Sequence, residues 1–270
     1  MKFADSSVVI TGAGSGIGAA LARRAARLGA RVCVSDVDGD KARAVADEIG
    51  AIAVQCDVRD ETAVQALINT AAAKQGKIDI FVSNAGLGLG EPDHVASAAD
   101  DVWMLNWQVH VMAHVYASRA LLPAMIARKS GHLVNIASAA GLLNQIGDAA
   151  YSATKHAAVS FSESLAIGHG TDGVGVSVVC PQYVATPLLG LSDVDAQNRT
   201  SLLTADGVAM AIVAGVEADQ FLILSHPAVH GYAVQRAQDH DRWIVGMQML
   251  RKKALETLGT ARAETLYKLV

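Results

Sequence analysis

Near its start the chain reads Ser7-Val8-Val9-Ile10-Thr11-Gly12-Ala13-Gly14-Ser15-Gly16-Ile17-Gly18 and continues into an Ala-, Leu- and Arg-rich segment that ends at Gly29. The apolar run before the glycines is typical of a buried strand, and the segment after them has the pattern of a helix. Glycines let the turn bend sharply and let a pyrophosphate approach the backbone, while the free N–H groups of the helix N-terminus favour an anion. The stretch therefore predicts a strand, a turn and a helix that bind a dinucleotide.

Apolar runs alternate with helical segments through most of the chain. Further strands are predicted at 31–35, 51–55, 77–82, 132–137, 173–180 and 220–224, and a long helix at 101–128. The alternation implies an α/β fold: a single-domain, Rossmann-like, doubly wound parallel sheet with helices on both faces, plus a helical C-terminal extension. We expect the dinucleotide-binding and catalytic domain at 1–225, with a substrate lid at about 187–204, and the helical extension of the same domain at 226–270.

The C-terminal extension carries one apolar helical face. It is formed by Trp243, Ile244, Met247 and Leu250, whose spacing places them on the same side of a helix. Such a face predicts a packing surface. The sequence leaves open whether it covers the protein's own active site or docks on another subunit.

Composition excludes several classes of function. Among the 270 residues, 51% are hydrophobic and the net charge is −4, without a basic stripe, which argues against nucleic-acid binding. The N-terminus has no signal-like region and no apolar run reaches membrane-spanning length, so we expect a cytoplasmic protein. Cys33, Cys56 and Cys180 lie in strand-like runs and are predicted to be reduced. No metal site is predicted, because the nine histidines form no ligand motif and His226/His230 is a lone pair.

A second stretch indicates acid–base chemistry. Ser138 follows a predicted strand, and Tyr151 and Lys155 follow it with the spacing Tyr-x-x-x-Lys. Residues four apart lie on one face of a helix, so the phenol and the ammonium converge. A neighbouring cation lowers the pKa of a phenol, which then serves as a general acid or base. Ser138 is placed to donate a hydrogen bond to the substrate oxygen that gains or loses charge.

Together these motifs resemble the classical short-chain dehydrogenase/reductase family, from the first strand to about residue 190. Gly12, Gly16 and Gly18 match its Thr-Gly-x-x-x-Gly-x-Gly pattern, and Ser15 and Ile17 lie in the same turn. The resemblance implies that this turn binds the cofactor.

The resemblance also implies a choice of cofactor. Asp36 ends the second predicted strand, where a carboxylate accepts hydrogen bonds from the adenosine ribose and repels a 2′-phosphate. Ser15 and Val37 stand where NADP-preferring relatives carry a basic residue. We therefore expect NAD. The alternative is that Asp36 caps a helix, a role that Asp38 fills equally well.

Other cofactor contacts follow from the resemblance. Asp57 and Val58 are expected at the adenine, although Asp57 also reads as the start of a helix from about Asp60. Three further segments are expected to contact the cofactor. They are the Asn-Ala-Gly motif, in which Ser83 replaces a first Asn, the Pro-x-x-x-Ala-Thr segment, in which Gln182 replaces a Gly, and the catalytic pair. Their contact residues are Asn84, Ala85, Gly86, Pro181, Val184, Thr186, Tyr151 and Lys155.

One position departs from the family's catalytic tetrad. His110 stands where the family carries an Asn whose main-chain carbonyl holds a water linked to the lysine. One hypothesis is that only the His110 backbone takes part. The other is that the imidazole, which titrates near neutrality, relays protons. We favour the backbone role.

The resemblance implies reversible hydride transfer between NAD and a secondary alcohol or ketone, with Ser138, Tyr151, Lys155 and His110 as the catalytic residues. The rivals are a dinucleotide-sensing binding protein without catalysis and a dehydratase or epimerase relative. The substrate is expected to be a small, mainly apolar molecule, with Leu142, Leu143, Gln145, Tyr183, Leu188 and Leu189 at its pocket. A homodimer or homotetramer is expected through the 101–128 helix, along Ala113, Ala117, Ala120 and Ala124, and through the helix that follows Tyr151.

Overall fold

The structure is a computed structural model that describes residues 1–91, 93–197 and 201–270. Its centre is a parallel seven-stranded sheet in the order β3-β2-β1-β4-β5-β6-β9, beside a two-stranded sheet of β7 and β8. The strands are β1 (Ser7–Ile10), β2 (Arg31–Asp36), β3 (Ile52–Gln55), β4 (Ile80–Ser83), β5 (Gly131–Ile136), β6 (Val174–Val179), β7 (Tyr183–Ala185), β8 (Leu202–Thr204) and β9 (Leu222–Ile223).

Helices cover both faces of the large sheet. Together with helices that pack elsewhere, the helices of the described residues are α1 (Gly16–Arg27), α2 (Gly39–Ile49), α3 (Glu61–Gln75), α4 (Asp100–Trp107), α5 (Ala113–Ala127), α6 (Ala140–Leu143), α7 (Ala149–His169), α8 (Asp193–Ala196), α9 (Ala205–Glu217), α10 (Ala228–Gln238), α11 (His240–Leu258) and α12 (Ala263–Leu266). The predicted doubly wound α/β fold with a helical C-terminal region is confirmed.

The apolar runs are continuous because both faces of the sheet are buried. Within β1, Val8 and Ile10 pack in the core formed with α1, α2 and α9. Val9, which points to the opposite face, packs in the core formed with α3 and α5. The same alternation along the neighbouring strands holds the two helical layers against one sheet.

The strand order reverses between β1 and β4. β1 pairs with β2 on one side and with β4 on the other, so the helices that follow β1 and β4 leave on opposite faces. The carboxyl ends of β1, β4, β5 and β6 therefore border one crevice, which receives the loops that carry the predicted site residues.

The predicted helix at 101–128 is present but is not uniform. A π-helical segment, Gln108–Met112, separates α4 from α5, and the Ala113 N–H donates to the Gln108 carbonyl. Such segments occur mostly as single-turn bulges within α-helices and are frequent at functional sites. Here the segment contains His110.

The C-terminal region consists of α10, α11 and α12. Trp243 of α11 packs beside Tyr232 of α10, at 6.5 Å between ring centroids, whereas Ile244 is 43% exposed. The predicted apolar face is therefore only half covered. Ala254 of α11, together with Leu266 and Tyr267, packs with Tyr183 and Ala185 in a separate apolar cluster, which anchors the chain end beside β7.

In the three described stretches of the chain, no helix is both long enough and apolar enough to cross a membrane.

Candidate active site

The glycine turn lies between α1 and the ends of β1 and β4. Gly12 has φ +61°, and a Cβ added there would lie 2.7 Å from the Ala85 Cα. A Cβ on Gly18 would lie 2.5 Å from Asn84 Nδ2. Gly18 is thus needed for packing, while Gly16, with φ +54°, turns the chain into α1.

Thr11 and Asn84 join the two strands that border the crevice. The Asn84 side-chain amide donates to the carbonyl oxygens of Thr11, at 2.8 Å, and Gly12, at 3.0 Å. The Thr11 hydroxyl oxygen accepts hydrogen bonds from the backbone N–H groups of Asn84 and Ala85. Asn84 therefore braces the sheet beside the glycine turn.

Asp36 faces the glycine turn rather than a helix. Its carboxylate accepts hydrogen bonds from the Gly14 N–H, at 2.9 Å, and from the Asp38 N–H, at 3.0 Å. The helix cap is Asp38, which accepts from the N–H groups of Asp40 and Lys41. Lys41 pairs with Asp38 at 3.2 Å, so the nearby cation is already engaged.

Asp57 is not the cap of the third helix. Asp60 fills that role by accepting from the Thr62 N–H, and the alternative in which Asp57 opens the helix is wrong. The Asp57 carboxylate instead pairs with the Arg59 guanidinium and accepts the Arg59 N–H at 3.0 Å. Arg59, which the sequence analysis did not single out, lowers the pKa of Asp57.

Ser138, Tyr151 and Lys155 meet where β5 ends. The Ser138 side chain lies close enough to Tyr151 to lower the pKa of the phenol. Lys155 Nζ donates to the Ile136 carbonyl at 2.9 Å and lies 5.5 Å from the centroid of the Tyr151 ring. The arrangement brings a hydroxyl, a phenol and an amine to one buried wall.

The protonation of Tyr151 differs from the sequence-based expectation that a neighbouring cation lowers the pKa of its phenol. Burial raises the pKa of Tyr151 to about 12, and the neighbouring Ser138 side chain only partly offsets this rise. Lys155, which donates to the Ile136 carbonyl, does not overcome this effect of burial. Burial also lowers the pKa of Lys155 to about 8. In the chain by itself, the Tyr151 hydroxyl is therefore protonated at neutral pH.

His110 lies fully buried behind Tyr151. The two rings meet edge to face, with centroids 5.2 Å apart. Burial and, secondarily, the charge of Lys155 hold the pKa of His110 well below its usual value, with His114 adding to the effect. The imidazole is therefore neutral at physiological pH.

The segment after β6 turns under the crevice. The Ser138 hydroxyl lies 3.4 Å from the Pro181 carbonyl, and a Cβ on Gly16 would lie 3.4 Å from Thr186 Cγ2. His226 holds this turn: its Nδ1 accepts the Gln182 N–H at 3.1 Å and its Nε2 lies 3.0 Å from the Tyr183 carbonyl. Both nitrogens of His226 are thus engaged with the backbone.

These elements enclose one cavity of about 520 Å³. Most of the predicted site residues line it: Gly12, Ser15, Gly16, Ile17, Asp36, Asp57, Val58, Asn84, Ala85, Gly86, Ser138, Tyr151, Lys155, Pro181, Val184 and Thr186. Gly18 and His110 do not line it; they pack behind its wall.

The substrate end is only partly as predicted. Gln145, Tyr183, Leu188 and Leu189 line the cavity. Leu142 and Leu143 do not, because α6 turns them towards the apolar cluster around Val229. Of the predicted lid, the stretch 198–200 lies outside the described residues.

Several residues that line the cavity were not among the predicted site residues. Asp148 caps α7 by accepting the Tyr151 N–H and also accepts the Gly90 N–H at 2.9 Å, which ties the loop after β4 to the catalytic helix. From the chain end come Arg262, Ala263 and Glu264. Only Asp148, which precedes a helical pattern, was identifiable as a cap from sequence.

The cavity suits a dinucleotide. The glycine turn exposes backbone at its floor, Asp36 stands at one end, and Ser138, Tyr151 and Lys155 stand at the other. Within the described residues, no group of three or more His, Cys, Asp or Glu side chains is arranged to hold a metal ion.

Sequence comparison agrees with this geometry. The profile of a family described as short chain dehydrogenase matches residues 6–196. The chain belongs to the short-chain dehydrogenase/reductase family. It is therefore an oxidoreductase with a site for a nicotinamide dinucleotide, and the resemblance inferred from the motifs is confirmed.

Relatives span most of the chain. A 1-deoxy-11-beta-hydroxypentalenate dehydrogenase from Streptomyces avermitilis is 35% identical over 84% of this chain and 86% of its own length. A meso-2,3-butanediol dehydrogenase from Serratia marcescens is 38% identical over 69% and 74%. A short-chain dehydrogenase from Burkholderia phymatum, solved in complex with NAD, superposes with a TM-score of 0.81 at 31% identity, over 89% and 96%.

Proposed function

We propose that this protein transfers hydride reversibly between a secondary alcohol or ketone and NAD, with Tyr151 as the general acid and base. The observation that carries the proposal is that Ser138, Tyr151 and Lys155 line one cavity together with the glycine turn and Asp36. Two relatives whose names are those of alcohol dehydrogenases support the substrate class.

The residues divide the cavity by chemistry. The turn at Gly12, Ser15, Gly16 and Ile17 is suited to the pyrophosphate, and Asp36 to the adenosine ribose. Asp57 and Val58 border the adenine end, and Asn84, Ala85 and Gly86 border the middle of the cavity. Pro181, Val184 and Thr186, of which Thr186 lies beside Gly16, are suited to the nicotinamide end.

Bound NAD supplies the hydride acceptor. In oxidation, Tyr151 must first lose its own proton; as the phenolate it takes the proton of the substrate hydroxyl, while Ser138 donates a hydrogen bond to the oxygen as its charge changes. In reduction, the protonated Tyr151 hydroxyl, whose pKa is raised to about 12 by burial, donates its proton to the substrate oxygen. Lys155 and Tyr151, which line the same part of the cavity, would hold the ribose of the nicotinamide.

The preference for NAD rests on Asp36. Its carboxylate lies at the cavity end, held by the Gly14 and Asp38 N–H groups. A ribose 2′-phosphate placed there would meet a negative charge in a partly dehydrated position, which is unfavourable.

The test is a screen of secondary alcohols and the matching ketones with NAD and NADH, followed by absorbance at the NADH band. We expect turnover in both directions, dependent on Tyr151. Tight NAD binding without turnover of any alcohol or ketone would instead favour the dinucleotide-sensing alternative.

A further inference from the structure

The substrate end of the cavity is closed by a part of the chain that lies beyond the matched family region. That match ends at residue 196, whereas Arg262, Ala263 and Glu264 line the cavity. The chain end is held in place, because Leu266 and Tyr267 are buried against the cluster around Tyr183. It also crosses directly over Gly147, where an added Cβ would lie 3.0 Å from the Ala261 carbonyl oxygen.

Arg262 differs from the other cations that line this cavity. Arg59 is paired with Asp57 at the adenine end, and Lys155 is buried at the reaction centre. In the described part of the chain, no carboxylate forms an ion pair with Arg262. Among the described residues, Arg262 is thus the cavity-lining cation that is neither paired with a carboxylate nor buried at the reaction centre.

Arg262 also has no local structural task for its charge. It precedes α12 at the N-cap position, and its side chain makes no capping hydrogen bond. A cation is disfavoured at a helix N-terminus, where the free N–H groups carry partial positive charge. Glu264, by contrast, lies in the first turn of α12, where a carboxylate is favoured.

We propose that Arg262 binds a carboxylate of the substrate, so that the enzyme oxidises hydroxy acids whose alcohol carbon is separated from the carboxylate by an apolar body. The proposal rests on the proposed function and names its substrate class. The guanidinium presents two parallel N–H donors that match a carboxylate. The apolar body is received by Leu188 and Leu189, and the alcohol by Ser138 and Tyr151.

Three ring alcohols that differ only at the distal group test this class: 4-hydroxycyclohexanecarboxylate, 4-methylcyclohexanol and 4-aminocyclohexanol. We expect the native protein with NAD to prefer the carboxylate in kcat/KM. Arg262→Met should lower kcat/KM for the carboxylate by about tenfold or more, mainly through KM, because a charged hydrogen bond is lost. Turnover of 4-methylcyclohexanol should stay nearly unchanged.

Two control variants separate this role from general charge effects. Lys268→Met removes an exposed cation of the same chain end that does not line the cavity, and it should leave the preference intact. Glu264→Gln should preserve or strengthen the preference. Equal use of the three alcohols, a uniform loss in Arg262→Met, or a preference for 4-aminocyclohexanol that is lost in Glu264→Gln would overturn the proposal.

If no alcohol is turned over, the affinity for a carboxylate ligand tests the proposed Arg262 site. Calorimetric titration of the NADH-loaded protein with cyclohexanecarboxylate and cyclohexanecarboxamide should show tighter binding of the carboxylate, lost in Arg262→Met. That result without turnover would contradict the proposed function but keep the carboxylate site. Equal affinity of both compounds would contradict the site itself.

Discussion

His110 Nε2 lies 3.2 Å from the backbone nitrogen of Leu87 and accepts its hydrogen. The ring proton is therefore on Nδ1, which lies 3.0 Å from the Thr154 hydroxyl. The neutral imidazole thus links the loop that follows β4 to the catalytic helix α7. This relationship supports the hypothesis in which His110 contributes no proton transfer through its side chain, because both nitrogens are engaged in fixed hydrogen bonds.

We predict that His110→Asn leaves the pH profile of turnover nearly unchanged. The imidazole stays neutral because its pKa lies well below 6.5, so removing it deletes no ionisation near neutral pH. The free energy of unfolding should fall by about 1 to 3 kcal/mol if the Leu87 N–H loses its acceptor. Rates across pH and denaturant titrations check both statements.

The Thr154→Val variant is the matched control for the His110 linkage, since it removes the partner of Nδ1 and should likewise affect stability more than turnover. A large rate loss in His110→Asn, with folding and NAD affinity intact, would show instead that the imidazole relays protons.

Tyr151→Phe should reduce turnover by about 100-fold or more while NAD binding survives, because the phenol supplies the proton and contributes little to holding the cofactor. Lys155→Ala should damage both turnover and NAD affinity. Steady-state rates and NAD titrations separate the two. Retention of substantial turnover in Tyr151→Phe would remove Tyr151 from the acid–base role.

Replacing Asp36 should relax the preference for NAD over NADP. Asp36→Ala combined with Val37→Arg removes a negative charge and adds a cation at a position where the native side chain is 61% exposed. We expect the ratio of kcat/KM values to shift towards NADP by about tenfold or more, as a change of roughly 1.4 kcal/mol gives.

The matched control for the cofactor is Asp36→Asn, which removes the charge but keeps an oxygen that can accept the Gly14 N–H. It should produce a smaller shift in the same direction. Equal or better use of NADP by the native protein would refute the assignment at the outset.

Stability should fall with acid below pH about 6.5. Burial lowers the pKa of His114 to about 3 and that of His132 to about 4, and holds that of His110 well below 6.5. Between these values and 6.5 the unfolded chain binds protons that the folded chain does not, so each histidine lowers the free energy of unfolding by about 1.4 kcal/mol per pH unit. Denaturant titrations at several pH values measure the slope.

A substitution of His114 tests this pH dependence of stability, since neither of its ring nitrogens has a hydrogen-bond partner among the described residues. His114→Phe should therefore flatten the slope by the share of one histidine at little cost near pH 7. His230→Gln, at an exposed position, should leave it unchanged. Identical slopes in the native protein and in His114→Phe would contradict the assignment.

We expect a homodimer or homotetramer, but not all four alanines of the 101–128 segment that indicated an interface can contact a partner subunit. Ala113 and Ala117 are buried within the chain, so they are unavailable to a partner. Elsewhere on the two predicted interface helices, Trp107 of α4 is 42% exposed and Ile167 of α7 is 84% exposed. Light scattering at working concentration tests the assembly, and Ile167→Glu should weaken it. A monomer in the native protein would refute the prediction.

Much of the fold and of the cofactor site follows from local sequence. The turn between Gly12 and Gly18 and the pair of Tyr151 and Lys155 depend on spacings within one or two helical turns, and such spacings determine geometry directly. The alternation of apolar runs with helical segments likewise determines a sheet covered on both faces.

The protonation of the site was decided by tertiary structure. Tyr151 and Lys155 are four residues apart, yet the pKa of Tyr151 rises because the surrounding elements exclude water. Lys155 turns to the Ile136 carbonyl, which lies on another element. Neither effect is encoded in the spacing, since desolvation depends on everything that packs around the pair.

The residues at the substrate end of the cavity were also decided by tertiary structure. The bond from Gly90 to Asp148 joins residues 58 apart, and that from Gln182 to His226 joins residues 44 apart. Arg262 reaches the cavity only because the chain end packs against Tyr183 and crosses Gly147. The sequence by itself determined the fold and the dinucleotide turn through local periodicity; contacts between distant segments, which have no periodic signature, decided which side chains complete the substrate end.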